Sequence, residues 1–249
     1  MKEYNYKITL AYDGTNYSGW QIQPNGISIQ QKVQEALKIV LRHETFIVGS
    51  GRTDAGTHAL GQVAHFKTPL EIEPRRFLHS LNGLLPFDIR IKSIENVPLD
   101  FHARYSATGK IYHYFLHIDP VQNPFKRLYA LHIYEKININ LLCEAAQHFI
   151  GTHDFTAFAN EARSGVAAYD SIRHLKRLDI MPIEDGLRLE FEADGFLYKM
   201  VRNITGTLLE VASGHRPPSA IPEILASKDR RLAGKAAPAH ALFLVKVLY

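Results

Sequence analysis

Read for hydrophobic period, the chain spells the same order of elements twice, and few architectures accommodate that. Tyr4, Tyr6, Ile8, Leu10 and Tyr12 alternate strictly with their neighbours, the period of a half-buried strand. Ser28 with Gln31 three residues on has the form of a capping box. Ile29, Val33, Ala36, Leu37, Val40 and Leu41 then predict an amphipathic helix. Residues 46–48 predict a short strand and residues 62–67 a second one. Pro74 opens a further helix, with Phe77, Leu78 and Leu81 inward and Asn82-Gly83 as its stop. Ile89, Ile91 and Ile94 mark another strand. The order is β-α-β-β-α-β.

The second half repeats it. Residues 111–118 predict a strand, 120–126 a loop and 128–134 an extra strand. Ile139, Leu142, Ala145, Ala146 and Phe149 predict a helix stopped by Gly151. A polar loop at 160–165 and strands at 175–181 and 187–193 follow. Met200, Val201, Ile204, Leu208 and Val211 predict a helix closed by Gly214, residues 221–226 a short added helix, and Phe243, Val245 and Val247 a last strand. The expected fold class is α+β: two ferredoxin-like halves, residues 1–105 and 106–249, with mostly antiparallel sheets and helices on one face. A cleft between the halves is the natural place for a catalytic site. RRM-type RNA binders share this order, so the fold does not settle function.

Composition narrows the classes. Hydrophobic content of 46% and charged content of 22% suit an ordinary globular protein. The lone Cys143 excludes a disulfide framework or thiolate metal cluster and suits a reducing compartment. No apolar run approaches the roughly 18 residues of a membrane span, and the first residues lack a signal-peptide core. The expectation is a cytoplasmic protein without a membrane anchor. Lys plus Arg number 29 against 25 Asp plus Glu. The excess gathers at Arg75-Arg76, Lys126-Arg127, Arg173 to Arg177 and Lys228 to Arg231, which points to a polyanionic partner.

The chemistry concentrates in the Gly-rich stretch from Gly49 to Phe66 (GSGRTDAGTHALGQVAHF). Gly51 and Gly56 have the spacing of a phosphate-binding loop, but Thr57 and His58 stand where that loop needs Lys and then Ser or Thr. Gly49 and Gly51 begin a dinucleotide fingerprint, but Asp54 occupies its third glycine. The thirteen histidines invite a metal reading, yet His113 and His117 have no third ligand at a known spacing, and no metal is expected. Asp54 in such a turn can simply shape the backbone. It can also serve as a nucleophile or base, with Arg52 as an ion-pair partner that keeps it charged and oriented. Tyr112 and Tyr114 share a strand face and suit either core packing or a stacking platform for a nucleobase. Lys110 beside them suits a phosphate. Arg202 lies off the apolar stripe of its helix and reads either as a solvated flank or as a second cation for Asp54.

At these residues the chain resembles the tRNA pseudouridine synthase A family nearly end to end. The matching segments begin with residues 11–25 (AYDGTNYSGWQIQPN) and 51–58 (GRTDAGTH). They continue with 101–108 (FHARYSAT), 110–114 (KIYHY) and 200–206 (MVRNITG). The family commonly has Val where Thr57 stands, and a similar Val-to-Thr difference falls at Thr205. The resemblance implies isomerisation of uridine to pseudouridine at positions 38, 39 and 40 of the tRNA anticodon arm, by a homodimer and without a cofactor. By motif position it makes Asp54 the essential aspartate. It gives Arg52 a role in positioning the acid or opening the RNA stem. Tyr112 stacks on the target base, and Arg202 pairs with Asp54. Three competing readings are a tandem RRM-like binder, a synthase with another tRNA target and a hydrolytic glycosidase. Residues 110–117 lack the Gly-aromatic core of an RRM signature, and the Gly-rich stretch offers one acid where glycoside hydrolysis wants two.

Overall fold

The computed structural model describes residues 2–160 and 170–249. It separates into two compact units, Met1–Thr108 with Phe243–Tyr249, and Gly109–Leu242. Along the chain the first unit supplies β1 (Tyr4–Tyr12), α1 (Ile29–Leu41), β2 (Val48–Gly49), β3 (His58–Thr68), α2 (Pro74–Leu84) and β4 (Ile89–Val97). The second supplies β5 (Gly109–His117), β6 (Leu131–His132), α3 (Ile139–Gln147), β7 (Gly151–Asp154), β8 (Ile172–Ile183), β9 (Gly186–Ala193), α4 (Met200–Ala212) and α5 (Ala220–Ser227). The last strand, β10 (Leu242–Leu248), belongs with the first unit from Phe243 onward. The class is α+β. Among the described residues no helix is long and apolar enough to cross a membrane.

In the first unit β1 runs antiparallel to both β3 and β4, and β10 lies parallel to β3 on the far side. Tyr6, Ile8 and Leu10 point to one face, opposite Phe66, Ala64 and Gln62 of β3. That face meets α2 where the rings of Phe66 and Phe77 lie 6.2 Å apart. Ile29, Val33, Ala36 and Leu37 form the buried stripe of α1. Each large apolar side chain so buried contributes on the order of 1.5–3 kcal/mol, against the entropy of ordering it. In the second unit the strand order is β5-β9-β8-β7, all antiparallel, with β6 parallel to β5. Tyr112, Tyr114 and Leu116 pair with Phe191, Leu189 and Leu187, and this row is buried.

Several sequence expectations are corrected by identifiable interactions. Residues 46–48 are not a full strand. The backbone of Ile47 is held by α1 instead, its N–H donating to Gln34 Oε1 (3.2 Å) and its carbonyl accepting from Gln30 Nε2 (2.8 Å). Phe46 is left exposed. The capping box is half formed. Ser28 Oγ accepts from the N–H of Gln31, but the Gln31 side chain turns to Glu35. Asn82-Gly83 does not stop α2, because Asn82 ties the helix to β4 through both the N–H and the carbonyl of Ile91, each at 2.9 Å. The three-residue step from Ile91 to Ile94 is a bulge opposite Thr9 and Leu10, which keeps both isoleucines inward.

In the second unit the extra strand at 128–134 shrinks to β6, since the N–H groups of Tyr129 and Ala130 turn back on the Lys126 carbonyl. Gly151 does not close α3. It opens β7, a short edge strand with no sequence expectation, paired to β8 from Gly151↔Leu175 to Asp154↔Ile172. Gly214 does close α4, in the left-handed region at φ 78°. Of the polar loop expected at 160–165, only Asn160 is described.

Candidate active site

Residues 50–57 connect β2 to β3, and they are held from three directions. At the tip, the N–H of Thr57 donates to the carbonyl of Asp54 (3.1 Å), with Gly56 at φ 76°. A type II turn requires that value at its third position, and glycine reaches it without strain. From behind, the loop after β1 presses on the turn. Trp20 N–H donates to the Thr53 carbonyl (3.1 Å), and Gly56 N–H to the Tyr17 carbonyl (3.3 Å). Gly19, at φ 91°, comes so close that an added Cβ would sit 2.5 Å from the Thr53 oxygen and 3.1 Å from the Ala55 nitrogen. From below, a buried polar network rises out of the sheet. Tyr12 Oη and Thr53 Oγ1 are 2.8 Å apart, and Gln62 Nε2 donates to the Gly51 carbonyl (3.0 Å) and, at 3.4 Å, to Tyr12 Oη. Ser50 Oγ donates to Gln62 Oε1 at 2.9 Å.

Burial is arranged to match. Ser50, Thr53 and Thr57 are buried, Asp54 is half-buried at the tip, and Arg52 is exposed. Among the described residues Arg52 holds no hydrogen bond or ion pair. The local ion pair with Asp54 expected from the sequence is therefore not formed, and the guanidinium stands in solvent. Burial pushes the Tyr12 hydroxyl well above its ordinary pKa, with its hydrogen bonds to the Thr53 and Gln62 side chains acting the other way. Tyr12 is thus a neutral hydrogen-bonding group at any working pH. His58 begins β3 with Nδ1 accepting from Gly14 N–H (3.0 Å) and its ring stacked on Phe243 at 4.5 Å. Among the described residues the buried hydroxyl of Thr57 has no hydrogen-bond partner.

The other candidates lie in the second unit. Lys110 and Tyr112 stand at the start of β5, opposite Ala193 and Phe191. Tyr112 is 8% exposed and meets the ring of Phe196 edge-on at 5.1 Å. Tyr114 on the same face is fully buried, its hydroxyl donating to the Pro238 carbonyl (2.9 Å). Burial raises its pKa, and the charge of Arg202 opposes that rise. Arg202 is not a solvated flank of α4. Its Nε donates to the Ala237 carbonyl (2.7 Å), and its own carbonyl accepts from Ala237 N–H (2.9 Å).

Sequence reasoning missed the supports. Tyr12 read only as an inward strand residue, and Gln62 only as a strand start. The available signal was Gln62 itself, a polar side chain in the apolar row of Ala64 and Phe66, fully buried in the structure. Among the described residues no group of three or more His, Cys, Asp or Glu is placed to hold a metal ion.

Comparison with known proteins adds the family. The family model for tRNA pseudouridine synthase matches residues 8–106 and 145–249. Those spans include Arg52, Asp54 and Arg202, whereas Lys110 and Tyr112 fall in the interval between them. A tRNA pseudouridine synthase A 1 of Protochlamydia amoebophila is 61% identical over 245 residues, covering 98% of this chain and 96% of the relative. The tRNA pseudouridine synthase A of Shouchella clausii is 44% identical over 241 residues, with coverage of 96% and 91%. That of Bacillus subtilis is 43% identical over 245 residues, with 98% of each chain covered.

Proposed function

Because the chain belongs to the tRNA pseudouridine synthase family and is an isomerase, we propose that it converts uridine to pseudouridine at positions 38, 39 and 40 of the tRNA anticodon stem-loop, using Asp54 and no cofactor. The reaction cuts the N1–C1′ bond, turns the uracil, joins C5 to C1′, and moves the C5 proton to solvent while N1 gains one. Product and substrate are isomers, so the balance calls for no redox partner or group donor. A carboxylate suffices, acting on the ribose as nucleophile or as base.

The observation that carries this reading is the turn itself. Asp54 sits half-buried at the tip of a turn whose neighbours Thr53, Gly56 and Thr57 are each tied down by a hydrogen bond. Such anchoring suits a group that must hold a near-attack geometry. A stacked uridine has to be extruded at a cost of a few kcal/mol. Arg52, exposed beside Asp54, helps position the acid or opens the RNA stem. Tyr112 stacks on the extruded uracil and assists removal of the C5 proton, Lys110 takes a phosphate, and Arg202 serves as a cation for the carboxylate. The roles of Arg52, Tyr112 and Arg202 rest on the family resemblance, and that of Lys110 on its place beside Tyr112 on β5. From the repeated order of elements we take residues 1–105 and 106–249 to be ferredoxin-like halves, from composition we take the protein to be cytoplasmic, and from the resemblance we take the working form to be a homodimer.

The test is to map pseudouridines in tRNA from cells with and without this gene. The proposal expects loss at positions 38, 39 and 40 alone, restored by the wild-type gene. Intact modification there, or loss at another tRNA position, contradicts it.

A further inference from the structure

We infer that the buried hydroxyl pair of Tyr12 and Thr53, braced by Gln62, is a positioning device for the catalytic carboxylate, and that turnover depends on it more than folding does. The inference rests on the reading of Asp54 as the catalytic group.

Thr53 is the residue before Asp54, and it is fixed at two points. Its carbonyl accepts from Trp20 N–H (3.1 Å), and its Oγ1 lies 2.8 Å from Tyr12 Oη. Tyr12 is 4% exposed, Thr53 7% and Gln62 0%, so water does not compete for these bonds. In a site of low polarity a satisfied network of this kind is rigid, and its members polarise one another. The direction of the chain follows from Gln62. Its Oε1 already accepts from Ser50 Oγ (2.9 Å) and from Val63 N–H (3.1 Å), which identifies the other end of the amide as the donor. That donor serves the Gly51 carbonyl (3.0 Å) and the Tyr12 oxygen (3.4 Å). Tyr12 Oη thus accepts from Gln62 and shares one hydrogen bond with Thr53 Oγ1. The same amide thus ties down the turn at Gly51, and through Tyr12 it ties down Thr53, one residue either side of Arg52.

None of these atoms reaches the tip, so they act through Asp54 rather than on substrate. Folding has little need of them. The apolar rows of β1 and β3 and the type II turn already specify the backbone path. What the hydroxyl pair adds is the remaining freedom of the Thr53–Asp54 peptide. A displacement on the order of 1 Å at a reacting group lowers the rate by about a hundredfold.

Tyr12→Phe, Thr53→Val and Thr53→Ser test this by single-turnover tritium release from tRNA carrying 5-tritiated uridine, with tRNA affinity and Tm measured on the same proteins. The expected result is a rate lower by about ten- to a hundredfold in Tyr12→Phe and in Thr53→Val. Affinity should stay within twofold, and Thr53→Ser should recover at least half of the wild-type rate. The double variant should be no slower than the slower single one, as members of one chain of bonds require. Rates within twofold of wild type in either folded variant overturn the inference, as does a rate loss matched by a loss of affinity. If Tyr12→Phe does not fold, the premise that folding needs the pair little is wrong, which also overturns it. Asp54→Asn serves as the control. Should it retain turnover, the assignment of Asp54 fails. Should it be inactive while Tyr12→Phe runs at full rate, only the positioning role fails.

Discussion

Under the proposed function the turn that carries Asp54 and the elements that carry Tyr112 and Arg202 face the same requirement, a side chain held still, and they meet it with different means. Asp54 lies in the turn between β2 and β3, outside any regular element. Its neighbours are held by individual hydrogen bonds to Tyr12, Trp20, Tyr17 and Gln62 and by a glycine that leaves room for the backbone behind. Tyr112 stands on β5 in full register with β9, and Arg202 on α4, whose inner face is buried from Met200 to Ala212. There, packing does what discrete bonds do in the turn. Packing spreads its contribution over many contacts and degrades gradually. A bond-by-bond support concentrates it, so a change of one atom should cost the turn more activity, and the strand and helix more stability.

Gly19→Ala breaks the turn's support most directly. It places a Cβ 2.5 Å from the Thr53 oxygen and forces alanine to φ 91°. The expected outcome is a loss of about a hundredfold in turnover with about 1–3 kcal/mol of stability lost, read by tritium release and thermal unfolding. Turnover within twofold of wild type would erase the contrast. Tyr112 probes the other side. Tyr112→Ala should lose about tenfold or more in rate, since a base stacked on an aromatic is worth about 1–3 kcal/mol. Tyr112→Phe, which keeps the ring and its contact with Phe196, should retain most of it. Equal losses would move the role from the ring to the hydroxyl.

The smallest expected effect compares the same change in both regions. Thr57 buries a hydroxyl with no partner among the described residues, whereas the Thr205 hydroxyl donates to the Val201 carbonyl at 2.8 Å. Thr57→Val should therefore stabilise the protein by about 1 kcal/mol, and Thr205→Val should change it little. Urea unfolding of both variants decides it. A larger gain from Thr205→Val would reverse the account of both sites.

The sequence was informative where structure is local and periodic. The alternation of β1, the stripes of α1 and α4 and the Gly214 stop are readable because side-chain period and cap chemistry depend on near neighbours alone. It was uninformative where a partner far along the chain decides. Ile47 lies in an apolar run, yet its backbone bonds go to Gln30 and Gln34. Gly151 has the look of a helix stop, yet it begins a strand because β8 offers an edge. The candidate site divides the same way. Asp54 and Arg52 stand out by motif, while Tyr12 and Gln62 are one polar edge each in rows that otherwise read as core. Their meeting beneath the turn depends on the β1–β3 register, in which Leu10 faces Gln62. Arg52 also shows the limit of spacing: two residues from Asp54, it holds no ion pair among the described residues.

Asp54→Asn decides whether this turn serves to hold one reacting carboxylate. Tritium release from 5-tritiated uridine in tRNA and tRNA binding are measured on the same preparation. No detectable release is expected, with binding within a few-fold of wild type, since the substitution keeps the shape of the side chain and removes only its charge. Release at a substantial fraction of the wild-type rate would contradict it.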